Sequence, residues 1–205
     1  MKNKSIWIMA MALPLLMTSC KKNEVVDDKT TSNTSQDIVS STENKQLKYK
    51  LTWTAFKYPV PEKTGVKGSF NDIKLESIND KAANLEEALN GAKFSINTES
   101  VNSNAADRDA KLKTFFFQRM KGSILGSFGK FENNKVPVKI TMNNISKDIP
   151  FVYEKSGDTL ILKGKIDIID DFKANNALKS ISEICKDLHK NKTWPDVEIT
   201  SKFYK

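Results

Sequence analysis

The sequence predicts a mainly β protein: an antiparallel barrel of about eight strands, with one substantial helix in the C-terminal half and one or two short helices. Three observations favour this fold class. Apolar and polar residues alternate with a period of two in eight separate segments. Short polar links at 132–134, 143–144 and 156–158 join several of them, and links this short connect antiparallel neighbours. A further segment has apolar residues at helical spacing instead.

The predicted strands follow one another along most of the chain. In the clearest, 48–55, lysines and threonines share one face, and the other face carries Tyr49, Leu51, Trp53 and Ala55. Alternation of this kind indicates a strand with one buried and one solvated face. The other predicted strands are 66–70, 92–96, 124–131, 136–142, 149–153, 160–168 and 197–203.

Two segments have helical rather than strand periodicity. Leu85 and Leu89 belong to a short amphipathic turn. The segment 172–191 is longer and keeps one apolar stripe, which consists of Ala174, Ala177, Leu178, Ile181, Ile184, Cys185 and Leu188. We expect this segment to be the substantial helix, which Asn191 and Pro195 bring to an end.

Eight alternating strands favour a closed barrel, because closure removes the exposed edges of an open sheet. A barrel of this size either is filled by side chains or holds one small ligand, as lipocalins do. Its polar face is rich in lysine, which argues against a barrel embedded in a membrane. Gly68 and Gly164 lie inside predicted strands, where glycine marks a bend or a close backbone approach.

Residues 1–19 have the layout of a secretory signal peptide. Lys2 and Lys4 precede an apolar run, 6–17, which small polar residues follow. The run is shorter than the roughly 20 apolar residues that a membrane span needs. Its ending, LMTSC, is typical of a bacterial lipobox, in which Cys20 is lipidated and becomes the first mature residue. The alternative is an ordinary signal peptide that is cut nearby.

Residues 20–46 are predicted to be a disordered tether behind the lipidated Cys20. They contain too few apolar residues to offset the entropy of ordering them. A flexible coil of this length reaches roughly 25–30 Å. It would anchor the barrel domain, 47–205, to the bacterial outer membrane, with the domain in the periplasm or at the cell surface.

The formal net charge of +8 does not indicate nucleic-acid binding. The lysines are scattered along the chain and form no dense basic block. A solvated barrel exterior explains them, with some attraction to anionic lipid.

Cys185 and His189 are the strongest hint of an enzyme or a metal site. At positions i and i+4 of a helix they share a face, and a thiol beside an imidazole could be a nucleophile and its base. A zinc site, however, needs three or four protein ligands, and the chain has one histidine and two cysteines. Cys185 also lies on the apolar stripe, where a free cysteine behaves as a small hydrophobe. We therefore expect a structural role, without catalysis or a bound metal.

Four motifs occur in order along the domain. They are WTAFK at 53–57, TGVKGSFNDI at 64–73, RD-x-x-L at 108–112 with the phenylalanines that follow, and NNISKDIPF at 143–151. Together they resemble the YceI-like family of exported, lipocalin-like barrels that bind polyisoprenoid lipids. The resemblance covers roughly residues 48–204 and implies the same fold and ligand class. Lys111 stands where that family usually has a histidine, so the polar end of the ligand is expected to differ.

The segment around Arg108 is predicted to join a loop to a helix. There a carboxylate can cap free amides, and Arg108 can pair with Asp107 or Asp109 or hold an oxygen of a ligand. The alternative is a helix that plugs the barrel, with Arg108 in a structural ion pair and the phenylalanines in the core. The predicted ligand-binding residues are Trp53, Phe70, Phe94, Arg108, Asp109, Lys111, Phe115 and Phe116.

These observations predict a lipoprotein that binds a polyisoprenoid or similar long apolar lipid inside its barrel, without a cofactor and without catalysis. Its partners would be that lipid and the membrane that holds Cys20, and a homodimer is compatible with this prediction. The alternative is a structural lipoprotein with a filled barrel and a protein partner. A third hypothesis is an enzyme that uses Cys185 and His189.

Overall fold

The computed structural model describes residues 47–57, 63–189 and 193–205, so Cys20 and the predicted signal peptide and tether lie outside the described residues. Ten strands are found in these ranges: β1 (Lys48–Lys57), β2 (Thr64–Phe70), β3 (Ile73–Glu76), β4 (Lys93–Ile96), β5 (Val101–Asn102), β6 (Ile124–Phe128), β7 (Lys135–Met142), β8 (Ile145–Ser156), β9 (Thr159–Asp167) and β10 (Thr193–Tyr204). They form one antiparallel sheet in the order β3-β4-β6-β7-β8-β9-β10-β1-β2-β5. The sheet curls into a half-barrel with a lipocalin-like fold, which confirms the predicted fold class with ten strands rather than about eight.

Three α-helices interrupt the strands in the described part of the chain. They are α1 (Leu85–Leu89), α2 (Ala106–Lys111) and α3 (Asn175–Cys185). After α2 the chain continues through a π-helical turn (Leu112–Phe116) and a 3₁₀ turn (Phe117–Arg119), and α3 continues through a 3₁₀ turn (Lys186–Leu188). No helix of the described residues is long and apolar enough to cross a membrane.

The bounds of several elements differ from the prediction. The substantial helix is shorter than 172–191: it begins at Asn175, and Phe172 and Ala174 are buried in the connection before it. The strands β3 and β5 were not predicted. They have four and two residues, which is too short for the alternation to be recognised in the sequence.

The hairpin of β7 and β8 shows how the sequence pattern becomes structure. Val136, Val138 and the other even-numbered apolar residues of β7 are buried, and Lys135 and Lys139 on the other face are exposed. Residues Asn143 and Asn144 join the two strands with φ values of 52° and 59°. Two successive left-handed residues form the turn whose twist matches a two-residue hairpin, and asparagine tolerates this conformation well.

Glycines on β2 and β6 each lie beneath an aromatic ring of the neighbouring strand. Trp53 is paired across the sheet with Gly68, and Phe94 is paired with Gly126 in the same way. A Cβ atom would lie 2.1 Å from the ring of Trp53 at Gly68 and 2.2 Å from the ring of Phe94 at Gly126. The sequence predicted a bend or a close approach at Gly68, and the close neighbour is this ring. The rings therefore lie flat against the inner wall of the curled sheet and leave its interior open.

The two ends of the barrel are covered differently. At one end α3 packs against the π-helical turn, and its buried residues Leu178 and Ile181 face the interior. At the other end Leu89 of α1 is fully buried, and Gly91 donates its backbone N–H to the carbonyl oxygen of Phe128 at 3.0 Å. We call the first of these the helix-covered end.

Candidate ligand-binding cavity

A cavity of about 500 Å³ lies inside the curled sheet. Its walls come from the inner faces of β1, β2, β7, β9 and β10, among other strands, together with α2, the segment after it and α3. Most of the lining side chains are apolar, and the predicted apolar face of β1 contributes Tyr49, Leu51, Trp53 and Ala55. Lys50, which the alternation placed on the other face, lines the cavity as well. The volume and lining are those of a site for a small apolar molecule, since ligand pockets usually measure about 300–1,000 Å³.

Six of the eight predicted ligand-binding residues line this cavity. Trp53, Phe70 and Phe94 contribute from the sheet. The helix-covered end contributes the other three, which are Arg108, Lys111 and Phe116. Asp109 and Phe115 are not part of the lining, and the predicted set therefore lies mostly, but not entirely, around one space.

Trp53 is held in place by its neighbours on β2. Its ring covers Gly68, and its indole Nε1 donates a hydrogen bond to the carbonyl oxygen of Ser69 at 3.2 Å. The polar edge of the ring is thus satisfied within the sheet, and the apolar face remains available to the cavity. This arrangement suits a wall that contacts an apolar ligand.

Asp109 organises the loop before α2 rather than the cavity. Its Oδ1 accepts hydrogen bonds from the backbone N–H of Ser103 at 2.7 Å and from the hydroxyl of Ser103 at 2.6 Å. No side chain caps the start of α2, where Ala105 is the N-cap residue, and the amide that Asp109 accepts from belongs to a buried serine ahead of the helix. The expected ion pair of Arg108 is not found among the described residues, where its Nη1 donates to the carbonyl oxygen of Ser103 at 3.4 Å.

The π-helical turn decides which phenylalanines face the cavity. The backbone N–H of Phe117 bonds to the carbonyl oxygen of Leu112, five residues earlier, as well as to that of Lys113. This wider turn rotates the following side chains relative to a regular helix. As a result Phe116 and Phe117 line the cavity. Phe115 is partly buried and packs against the core without lining the cavity. Phe117 was missed because regular helical spacing placed Phe115 and Phe116 on the inner face.

The family model of the YceI-like domain matches residues 28–202. The chain belongs to the YceI-like domain family. No curated protein matches it significantly. The match begins ahead of the described residues, and it includes every strand of the curled sheet except the last residues of β10.

Solved structures of similar proteins have low sequence identity to this YceI-like chain. A polyisoprenoid-binding domain from Saccharophagus degradans, implicated in plant cell wall breakdown, is 12% identical with a TM-score of 0.52, covering 77% of this chain and 93% of its own. BcnA from Burkholderia cenocepacia is 13% identical with a TM-score of 0.49, covering 76% and 94%. The YCEI protein of Campylobacter jejuni is 24% identical with a TM-score of 0.40, covering 57% and 74%. The likeness to the first of these supports the fold.

Lys111 lies at the helix-covered end of the cavity. Its Nζ bonds to Oδ2 of Asp107 at 2.8 Å, one helical turn earlier. This hydrogen bond and the charge of Asp107 raise the pKa of Lys111, so the lysine stays protonated. Because Asp107 already balances Lys111, Arg108 is the more available cation for an oxygen of a ligand.

Cys185 and His189 both line the same end of the cavity, but their surroundings do not favour nucleophilic chemistry. Cys185 is buried, and this burial raises the pKa of its thiol although Lys111 and Arg108 act in the opposite direction. The thiol is therefore protonated at neutral pH. His189 Nδ1 lies 3.3 Å from the hydroxyl of Thr193. Within the described residues, no three His, Cys, Asp or Glu side chains converge to hold a metal ion.

We expect the stability of the YceI-like domain to decrease as the pH is lowered from about 7.5 to about 5.5, in part because of His189. Burial lowers the pKa of His189, and the charges of Lys57 and Arg108 lower it further. The unfolded chain then takes up the proton first, near pH 6.5, so stability that is present above this pH is lost as the pH falls through the folded-state pKa. Since the ring is partly solvated, we expect the replacement His189→Gln to reduce the loss in Tm by only about 1–3 °C.

The measurement is thermal unfolding of both proteins at the two pH values. His189 is the single histidine of the chain, so no other imidazole contributes to the difference. Identical losses in Tm for the two proteins would contradict the prediction.

Proposed function

We propose that this protein is a membrane-anchored lipoprotein whose barrel binds a polyisoprenoid or a similar long apolar lipid without acting on it chemically. The observation that carries the proposal is the cavity of about 500 Å³ with an apolar wall. Membership of the YceI-like domain family supports it, as does the fold shared with a polyisoprenoid-binding domain from Saccharophagus degradans.

The walls, rather than the charged residues, would supply most of the affinity. A lipid tail that hides roughly 400 Å² of apolar surface gains on the order of 10 kcal/mol before the costs of association. A charge-assisted hydrogen bond from Arg108 adds about 1.5–3 kcal/mol. Arg108 would therefore select the polar end of the ligand and fix its depth, while residues such as Trp53 and Phe70 hold the tail.

The cavity also bears on the alternative of a structural lipoprotein. A filled barrel would place side chains across the interior, whereas here the rings of Trp53 and Phe94 lie flat against Gly68 and Gly126. A void of several hundred Å³ without an occupant forfeits packing contacts, which is costly in a protein interior. An apolar ligand restores those contacts, and a protein partner on the outer surface does not.

The anchor belongs to the same proposal. Lipidation of Cys20, which lies ahead of the described residues, would hold the protein on the outer membrane. Several acyl chains, at about 0.8 kcal/mol per buried CH₂, give firm binding. The tether, 20–46, would let the barrel work in the periplasm or at the cell surface, close to the lipids that it takes up.

Native mass spectrometry of the protein, purified from its own host in mild detergent, tests both parts. We expect a mature protein that begins with acylated Cys20, and a second mass increment that organic extraction removes. The extracted molecule should be a long apolar lipid, and the stripped barrel should rebind an added isoprenoid alcohol such as geranylgeraniol. A barrel that is always empty and refuses the alcohol would disprove lipid binding, and an unmodified Cys20 would disprove the anchor.

A further inference from the structure

We propose that the cavity has a second opening, at a seam between β1 and β3, through which the tail of a linear apolar ligand leaves the barrel. The proposal rests on the proposed lipid-binding function. It deepens that function by specifying the class of ligand: a single flexible chain that is longer than the cavity, with its polar end at the helix-covered end.

The seam is a gap in the hydrogen-bonding ladder of the sheet. Residues 48–52, the first half of β1, pair with β10, but β2 begins to pair with β1 only at Trp53. The strand β3 pairs with β4 on one side. Within the described residues, the other edge of β3 and the edge of 48–52 have no strand between them, so these two edges bound the seam.

The side chain of Tyr49 bridges this gap. The hydroxyl of Tyr49 donates a hydrogen bond to the carbonyl oxygen of Ile73, at the start of β3, over 2.5 Å. The side chain of Tyr49 is 36% exposed, and its ring lies 6.5 Å from the ring of Phe203. A rotation of this one side chain would release the bridge, whereas a ladder of backbone bonds would have to break along its whole length.

The cavity extends as far as the seam. A second hollow, of about 330 Å³, lies there, and it shares five lining residues with the cavity, namely Tyr49, Lys50, Leu51, Phe70 and Ile73. Ser69 and Asn71 complete the second hollow. The exposed surface of the second hollow is mostly polar, and the apolar contacts for a chain that passes from one space to the other are Leu51, Phe70 and Ile73.

The helix-covered end of the cavity, where Arg108 lies, is far from the seam. Lys57, at the opposite end of β1 from Tyr49, lines the cavity together with Arg108 and His189. Burial lowers the pKa of His189, and the nearby charges of Lys57 and Arg108 lower it further. Lys57 follows Tyr49 by eight steps along an extended strand, which corresponds to roughly 26 Å. A ligand whose head is held by Arg108 would therefore direct its tail along β1 towards Tyr49.

Photolabelling locates the tail directly. The probe is a long isoprenoid alcohol with a diazirine at the end of its tail, loaded from detergent into the stripped full-length protein. We expect peptide mass spectrometry to find the label on residues 49–51 and 69–73. Labels confined to the interior of the barrel or to α3 would overturn the second opening.

Ligand length and the Tyr49→Phe variant provide the second measurement. We expect solanesol to bind at least as tightly as the much shorter farnesol, although only farnesol fits within the cavity. In Tyr49→Phe, which loses the bridge but keeps the ring, solanesol should dissociate several-fold faster and farnesol at its original rate. Tyr204→Phe is the matched control, because Tyr204 is a similarly exposed tyrosine, at 38%, and it is not part of the cavity lining.

The outcomes separate the two proposals. Binding of farnesol without binding of solanesol would overturn the seam and leave the lipid-binding function intact, as would equal effects of Tyr49→Phe on both alcohols. Binding of neither alcohol, by a protein that carries no lipid from its host, would overturn both.

Discussion

Replacing Ala55 by tryptophan is expected to weaken the binding of a long apolar ligand about 100-fold or more and to leave the barrel folded. Ala55 lies on the inner face of β1, is partly exposed and lines the cavity beside Trp53. An indole at this position would occupy space that the ligand needs. If it displaces on the order of 100–150 Å² of apolar contact, the loss is about 2.5–4 kcal/mol, which corresponds to roughly two to three orders of magnitude in Kd.

The matched control for Ala55→Trp is Thr54→Trp, on the opposite face of the same strand. Both variants add the same ring to β1, but the ring at residue 54 would lie outside the barrel, beside Gly65, where the side chain of Thr54 already lies. Binding of geranylgeraniol is measured by native mass spectrometry, and folding by thermal unfolding. Equal affinity in both variants would show that the ligand is not held inside the barrel.

The barrel could be predicted from the sequence because a period of two assigns every residue of a strand to a face. In β7 the buried and exposed residues alternate as predicted, and in β1 the predicted apolar face lines the cavity. The short strand β3 was missed because four residues, Ile73–Glu76, carry too little alternation. It forms because β4 offers a strand edge, and pairing of this kind is a property of the tertiary structure.

The candidate site was predictable in its apolar part and less so in its polar part. Trp53, Phe70 and Phe94 had to face the interior once their strands were assigned. The role of Asp109 depends on its contact with Ser103, which a loop brings back to the helix, and the orientation of Phe117 depends on a π-helical turn. Neither feature has a sequence signal, because both arise from how the segment packs against α3 and the sheet.

The cavity itself depends on pairs of residues that are distant in sequence. A glycine inside a strand, such as Gly126, indicates a close neighbour but not which neighbour. The fold supplies Phe94 through the pairing of β4 with β6. Since the ring then lies against the wall, the size of the cavity follows from strand register, which is set by the whole sheet.

Because the pairing of β4 with β6 places Phe94 against Gly126, the second large effect that we expect is a loss of stability in Gly126→Ala. We expect the variant to be destabilised by about 3 kcal/mol or more, because overpacking commonly costs about 1–3 kcal/mol even where side chains can move. A Cβ at Gly126 would lie 2.2 Å from the ring of Phe94 and 2.4 Å from the backbone carbonyl oxygen of Lys139. The ring can turn into the cavity, but the carbonyl belongs to β7, which is paired on both sides.

Gly164→Ala separates the contribution of the ring from that of the backbone. A Cβ at Gly164 would lie 2.5 Å from the ring of Phe151, and the three nearest atoms all belong to that ring. We therefore expect a smaller loss in urea unfolding, which Phe151→Leu in the same chain partly offsets because the shorter side chain vacates the contact. In Gly126→Ala, the corresponding change Phe94→Leu should give little recovery, because the carbonyl of Lys139 stays in place. Equal rescue at both sites would mean that the rings alone determine how closely these strands approach, and that the backbone of β7 has room to move.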